Sequence, residues 1–463
     1  MRARLLRLPL DKIYLICAPL LFALAYILPP FAAPDEAAHF YRAIQISHGE
    51  FAPMVAEKTY RQGAGGAVEQ SAYRLVDRYC GIPNWSCALK VRPALSEIVS
   101  YAPGRGPDAA RHVRSFSNTV VYFPIAHAVP AAAIVVARGL GLKPIGWLYA
   151  GRLANGLLAV VATWLALRLL RGRAPALLVF AIATLPMVVS VAPTLCADSS
   201  VISCSLLLTA LSVRLFDSDF GRWWIWPLLI LAVLFAAVAK LAYLPLAAIP
   251  AICALAAKRS WRVLSGTALI VGLAVAVTLA WSMVTYPYVY PISRHLDVDA
   301  VAQTAYIQAH PLYFLFVLLK SMIVGAPRAV LLMIGWKLSS LSILLPWSII
   351  ALPALTLALA VWRSGIDAPA APWFRRVVLA VILSGTCATF TFLYIQNSPV
   401  GAFRIHGYQG RYLIPLLPFC ALVIPKKLAT IVPTDARSQH LVAAGGILAT
   451  ISATLFLALR SWG

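Results

Sequence analysis

Two carboxylates, a histidine and an arginine stand close together in Pro34-Asp35-Glu36-Ala37-Ala38-His39-Phe40-Tyr41-Arg42. Proline suits the first position of a helix. Asp35 and Glu36 then occupy its first turn, where the helix dipole keeps carboxylates ionised. His39 lies four residues after Asp35 and three after Glu36, so it shares their face, and Arg42 follows a turn later. Such a face can bind a substrate hydroxyl and take its proton; the plainer reading is a well-capped helix start. A second group is Gly407-Tyr408-Gln409-Gly410-Arg411-Tyr412, preceded by Arg404 and His406. Its glycines let backbone approach a ligand, and Arg411 offers a planar fork that matches phosphate. The same residues also read as a tight turn with an interfacial Arg and Tyr. Arg152, Asp198 and Lys240, the last in Lys240-Leu-Ala-Tyr243, are single charges beside apolar runs. Ionisable groups at membrane depth are costly, so each is a functional candidate. Snorkelling for Arg152 and Lys240, and helix capping for Asp198, are the simpler alternatives.

The elements that must position these residues are membrane helices. Hydrophobic residues make up 61% of the 463-residue chain and charged residues 12%, where a soluble domain carries about 25% charged residues. The net charge of +23 does not indicate nucleic acid, because the bases form short clusters between apolar runs rather than one patch. The strong apolar segments run at roughly 12–33, 147–170, 175–192, 199–216, 223–239, 243–257, 263–284, 341–362, 376–395, 411–425 and 441–459. Two more, near 119–139 and 312–335, are ambiguous. The first run follows a basic start but lacks a small-residue cleavage site, so it reads as an uncleaved first transmembrane helix.

Arg2, Arg4, Arg7 and Lys12 put the N-terminus in the cytoplasm, and Arg171/Arg173, Lys258/Arg259/Arg262, Arg375/Arg376 and Lys426/Lys427 should join them there. All four clusters do so only if neither ambiguous segment crosses. The expected fold is therefore an all-α integral membrane bundle with about eleven crossings (eleven to thirteen at most). Segments 119–139 and 312–335 become juxtamembrane or re-entrant helices, and 34–146 is a long, folded first extracytoplasmic loop. Asp35, Glu36, Arg152, Asp198, Lys240, Arg404 and Arg411 then lie at one level. Cys80 and Cys87 in that loop are expected to form a disulfide, and the other six cysteines to pack apolar segments.

P-D-E-x-x-H-x-x-R with a late G-x-Q-G-R-Y resembles a bacterial family of polytopic membrane proteins of unassigned function, related to the C-type (GT-C) membrane glycosyltransferases. The resemblance spans residues 12–425. It implies a GT-C-like catalytic module over 1–425, followed by a cytoplasmic linker and last transmembrane helix over 426–463. It also implies a bacterial inner-membrane location and an inverting transfer of sugar from a polyprenyl-phosphate donor on the periplasmic side. The acceptor would be a glycan, lipid or protein of the cell envelope. Asp35-Glu36 matches the family's acidic pair and Asp198 its second loop acid. Asp35 is expected as the base, with Glu36 assisting or substituting. His39, Arg42, Arg152, Asp198, Lys240, Tyr243, Arg404, Gln409 and Arg411 are expected to bind substrate. A phosphate leaves without protonation, so cations replace the second carboxylic acid of a hydrolase. No D-x-D or further outer acid cluster occurs, so no metal or other cofactor is expected, although some relatives of these enzymes use a divalent ion. The alternatives are a transporter or flippase of lipid-linked saccharides, which predicts inverted repeats not evident here, and a non-catalytic envelope-assembly protein. A polymerase or ligase using the same donors is a variant of the enzyme reading. Nothing in the sequence sets the oligomeric state.

Overall fold

The computed structural model describes residues 8–57, 62–80, 93–101, 110–217, 223–290, 298–338, 343–366, 372–425 and 436–462. Helix α1, Leu10–Ile27, is followed by α2, Glu36–Ser47. Strands β1 (Met54–Glu57), β2 (Gln62–Glu69) and β3 (Arg111–Ser115) form one antiparallel sheet, with helix α3, Gln70–Cys80, after β2. The pairing is close: a Cβ on Gly65 would stand 1.7 Å from the Arg114 carbonyl oxygen, so only glycine fits there. Helices α4 (Ala128–Gly139) and α5 (Pro144–Leu169) lead back into the bundle.

The bundle continues with α6 (Pro175–Ala183), α7 (Pro186–Val191), α8 (Ala197–Arg214) and α9 (Ile225–Val233). After these come α10 (Ile249–Ala256), α11 (Trp261–Thr285), α12 (Ala300–Ala309), α13 (Pro311–Ile334), α14 (Trp347–Arg363), α15 (Pro372–Asn397) and α16 (Ala436–Trp462). Among the described residues, six helices are long and apolar enough to cross a membrane, and four shorter apolar helices accompany them; a perpendicular crossing takes about 20 residues. Helix α8 is the central element, buried from Ala197 through Val213. Its hydroxyls bond back along the helix, as Ser203 to Ser199 and Thr209 to Ser205, which lets a serine-rich helix sit in the core. By contrast α11 and α13 bury only 22% of their apolar windows and offer their leucines to lipid.

The helices differ from the hydropathy reading where proline intervenes. Segment 175–192 is two helices, broken before Pro186. Segment 223–239 ends in a π turn, Leu234–Val238, and 243–257 starts as a 3-10 helix, Leu241–Ala248. Segment 411–425, read as a crossing, is a chain of short turns at Gly410–Leu413, Leu417–Phe419 and Cys420–Val423, because Pro415 and Pro418 interrupt it. Segment 312–335, read as juxtamembrane, is the unbroken α13, long and apolar enough to cross. Among the described residues, helix length and apolarity alone mark six spans.

The described basic clusters gather at one end, while Arg2, Arg4, Arg7, Lys426 and Lys427 lie outside the described residues. Arg171 pairs with Asp11 at the start of α1. Arg173 and Arg214 meet Asp217 at 2.6 and 2.7 Å, and Arg259 donates to the Leu215 carbonyl at 2.5 Å. Gln439 reaches the Leu8 carbonyl, and Phe216 packs on Phe374. Cys80 is disulfide-bonded, while its expected partner Cys87 lies outside the described residues. Six other cysteines are free.

Candidate functional site

The site is built where α1 ends. Arg152 on α5 is wholly buried and points at that end. It donates to the carbonyls of Ala25, Leu28 and Pro29 at 2.8, 2.6 and 2.8 Å. It also grips Glu36 with both arms of its fork, Nε to Oε1 at 2.9 Å and Nη2 to Oε2 at 2.6 Å. The Leu195 amide adds a third bond to Glu36, at 3.3 Å. Arg152 was expected to bind substrate and Glu36 to assist or substitute as base; here both are engaged with each other and with backbone, away from the cavity lining. Together they staple the end of α1 to α2 and α5.

Asp35, one residue earlier, has the opposite fate. Its backbone is left-handed (φ 55°), uncommon for a non-glycine residue. It stands at the N-cap of α2 yet makes no capping bond. Its side chain is 48% exposed and, among the described residues, reaches only Arg411, at 3.4 Å. Behind it lies a buried charge cluster. Asp198, in the first turn of α8, accepts from Lys240 and from Arg411 Nε at 2.8 Å. Arg411 also donates to Gln409 and to the Tyr412 hydroxyl. Lys240 sits where the π turn gives way to extended backbone (φ −134°, ψ 122°), with its ammonium 5.0 Å from the Tyr122 ring and 5.8 Å from the Tyr412 ring. The Tyr243 hydroxyl donates to the Tyr412 carbonyl at 2.9 Å and so ties this break to the late motif.

These groups border a cavity of about 1270 Å³ lined by Asp35, His39, Lys240, Tyr243, Gln409 and Tyr412. Asp198 and Arg411 stand behind that wall and hold Lys240 and Asp35 in place. Lys240 is the only cation of the lining among the described residues. Arg42 and Arg404 are not part of it. Arg42 is buried and bonds Gln45, the Phe51 carbonyl and the Tyr122 carbonyl, which fixes the loop after α2. Arg404 is exposed and contacts His406 at 3.3 Å. Both were expected to bind substrate; the structure places neither in the lining of this cavity.

The sequence reading overlooked His127, whose ring meets His39 at 2.7 Å, and the aromatic wall of Tyr122, Trp281 and Tyr286. An ionisable residue inside the apolar stretch 119–139 was the available signal for His127; the aromatic residues carry none. No group of three or more His, Cys, Asp or Glu among the described residues is arranged to hold a metal ion. Residues 20–420 match the model of a family described as Predicted membrane protein (DUF2142). No curated protein matches, and no solved structure does.

Proposed function

The chain belongs to the DUF2142 family of predicted membrane proteins, and we propose that it is an inverting glycosyltransferase of GT-C type using a polyprenyl-phosphate sugar. The observation that carries this reading is a half-exposed carboxylate, Asp35, facing a cavity beside the Lys240 ammonium. Asp35 takes the proton of the acceptor hydroxyl as its oxygen attacks the anomeric carbon. The bond from that carbon to the phosphate breaks, and its electron pair leaves on the polyprenyl phosphate. Lys240 meets the charge growing on that phosphate. Arg411 orients Asp35, and Asp198 holds Lys240 and Arg411 in register. Glu36 and Arg152 set the turn that carries Asp35.

Helix α11 supports a membrane-borne donor. Its Trp281, Ser282 and Thr285 line the cavity, while Leu279, Met283 and Val284 face outward, so a lipid tail leaving the cavity passes directly into the bilayer. The disulfide-bonded Cys80 supports an oxidising, periplasmic side for this layer: the Tyr79 ring beside it packs 6.4 Å from that of Phe31. The gathering of the described basic clusters at the opposite end supports a cytoplasmic N-terminus in a multi-pass protein of a bacterial inner membrane. The acceptor class is a cell-envelope glycan, lipid or protein.

The test is purified protein in lipid nanodiscs with a radiolabelled polyprenyl-phosphate sugar and envelope acceptors. Asp35→Asn should lower turnover by about 10²–10⁴-fold at unchanged expression, and retained turnover would remove the proposed base. The unwound backbone at Lys240 also suits a flippase for lipid-linked saccharides. That reading gains if labelled lipid changes leaflet in proteoliposomes without any transfer of sugar.

A further inference from the structure

His39 and His127 form a buried hydrogen bond, Nδ1 to Nε2 at 2.7 Å, and the transfer chemistry leaves both rings without a role. His39 rises from α2 and lines the cavity. With its Nδ1 engaged, its Nε2 is the nitrogen left for the cavity. His127 ends the 3-10 turn Pro124–His127, is fully buried, and has an Nδ1 with no partner among the described residues. Burial, reinforced by Lys240, holds the His39 imidazole well below its usual range. Burial, with His39 and Arg42 adding to it, does the same for His127. Two neutral rings share one proton across their contact.

That proton can sit in two ways. If His39 donates, His127 keeps an orphaned N–H in the interior and His39 turns a bare lone pair to the cavity. If His127 donates, its buried Nδ1 is only a lone pair and His39 presents an N–H to the cavity. Buried donors without acceptors are rare and costly. The positive charge of Arg42 beside His127 also favours a lone pair at its Nδ1. Lys240 in the cavity wall, with Arg411 behind it, would prefer a lone pair on the free nitrogen of His39; a bound anion reverses that preference.

We propose that His127 locks His39 into the tautomer whose Nε2–H faces the cavity, making His39 an uncharged hydrogen-bond donor to the phosphate of the substrate. The identity of the ligand rests on the glycosyl-transfer reading; the tautomer does not. Among the described residues the lining offers a single cation, Lys240, and a phosphate has more acceptor oxygens than one ammonium serves. A neutral donor adds a bond without the repulsion a further cation would feel from Lys240. Helix α2 thus divides two tasks between residues four apart: Asp35 accepts a proton and His39 donates a hydrogen bond.

Histidine-selective ¹⁵N labelling of the full chain in nanodiscs reads the tautomer directly, with His39→Gln assigning the signals. The expected pattern at neutral pH is a protonated Nε2 and an unprotonated Nδ1 on His39; the reverse overturns the proposal. Binding of undecaprenyl phosphate, undecaprenol and inorganic phosphate provides the second measurement. His39→Leu should weaken undecaprenyl phosphate about tenfold or more and leave undecaprenol unchanged. His39→Gln, whose amide N–H replaces the Nε2 donor, should stay within about threefold of the unaltered protein. A parallel loss for inorganic phosphate supports contact with the phosphate itself. Unchanged affinity in His39→Leu, or equal losses in the Leu and Gln variants, overturns the donor role. The expected binding pattern in a protein that transfers no sugar keeps this assignment and removes the glycosyltransferase reading alone.

Discussion

Asp35 and Glu36 are adjacent in sequence and opposite in circumstance. Glu36 has no exposure and three bonds, two from Arg152 and one from Leu195. Asp35 is half exposed, conformationally strained, and has one long contact. Asp35 stands just outside the helix in a left-handed conformation and Glu36 is the first helical residue, so Glu36 faces the bundle and Asp35 the cavity. A saturated carboxylate is a fastener and an under-coordinated one is a reagent. The motif supplies both from a single dipeptide.

The largest effect expected from breaking this contrast is on stability. Arg152→Leu leaves Glu36 buried and unpaired and strips three carbonyls of their donor. A loss of about 3–5 kcal/mol is expected, read as a collapse of thermal stability in detergent or nanodiscs. Asp35→Asn should change stability by less than about 0.5 kcal/mol while lowering turnover by about 10²–10⁴-fold. If Asp35→Asn destabilises as much as Arg152→Leu, the two carboxylates are both structural and the contrast fails. A smaller effect is expected at Asp198, which serves both assemblies' logic: it is buried like Glu36 yet holds groups of the cavity wall. Asp198→Asn should cost about 1.5–3 kcal/mol for its charge-assisted bonds. It should also raise the KM for the donor lipid, because Lys240 loses its anchor. A KM unchanged at measurable stability loss would separate Asp198 from substrate binding.

The convergence of residues 35, 198, 240 and 411 was legible in the sequence because charges at membrane depth are scarce and need partners. Positive clusters at the loop ends allowed them to be assigned to one level before any contact was known. The split between Asp35 and Glu36 was not legible, since spacing defines a helix face but not which partner arrives on it. Arg152 could equally have served a ligand; only its position against the last carbonyls of α1 commits it. His127 escaped notice because its partner is 88 residues away and no local pattern links them. Hydropathy also misjudged the chain at Pro186, Pro415 and Pro418, because a window average does not register a missing backbone donor. It assigned too little to 312–335, where Pro327 is accommodated inside a continuous helix.

The smallest expected effect sharpens the comparison most, because it sets a partly exposed bidentate clamp beside a dry one. Arg111 grips Glu50 with two bonds from its guanidinium, at 2.8 and 2.6 Å, much as Arg152 grips Glu36. Here, however, the side chains are 27% and 32% exposed instead of 0%. Water and salt screen the outer pair, so Glu50→Gln should cost only about 0.2–1 kcal/mol and less at high ionic strength. Hydrogen bonding to Arg111 holds the Glu50 carboxyl below its usual range. Its contribution is therefore complete above the unfolded carboxyl pKa of about 4.3 and fades as pH falls through the lower folded value. Thermal unfolding of Glu50→Gln and Arg152→Leu, each at low and high salt, compares the two clamps. Equal losses would mean that the bidentate fork, rather than the dryness around it, holds the end of α1 in place.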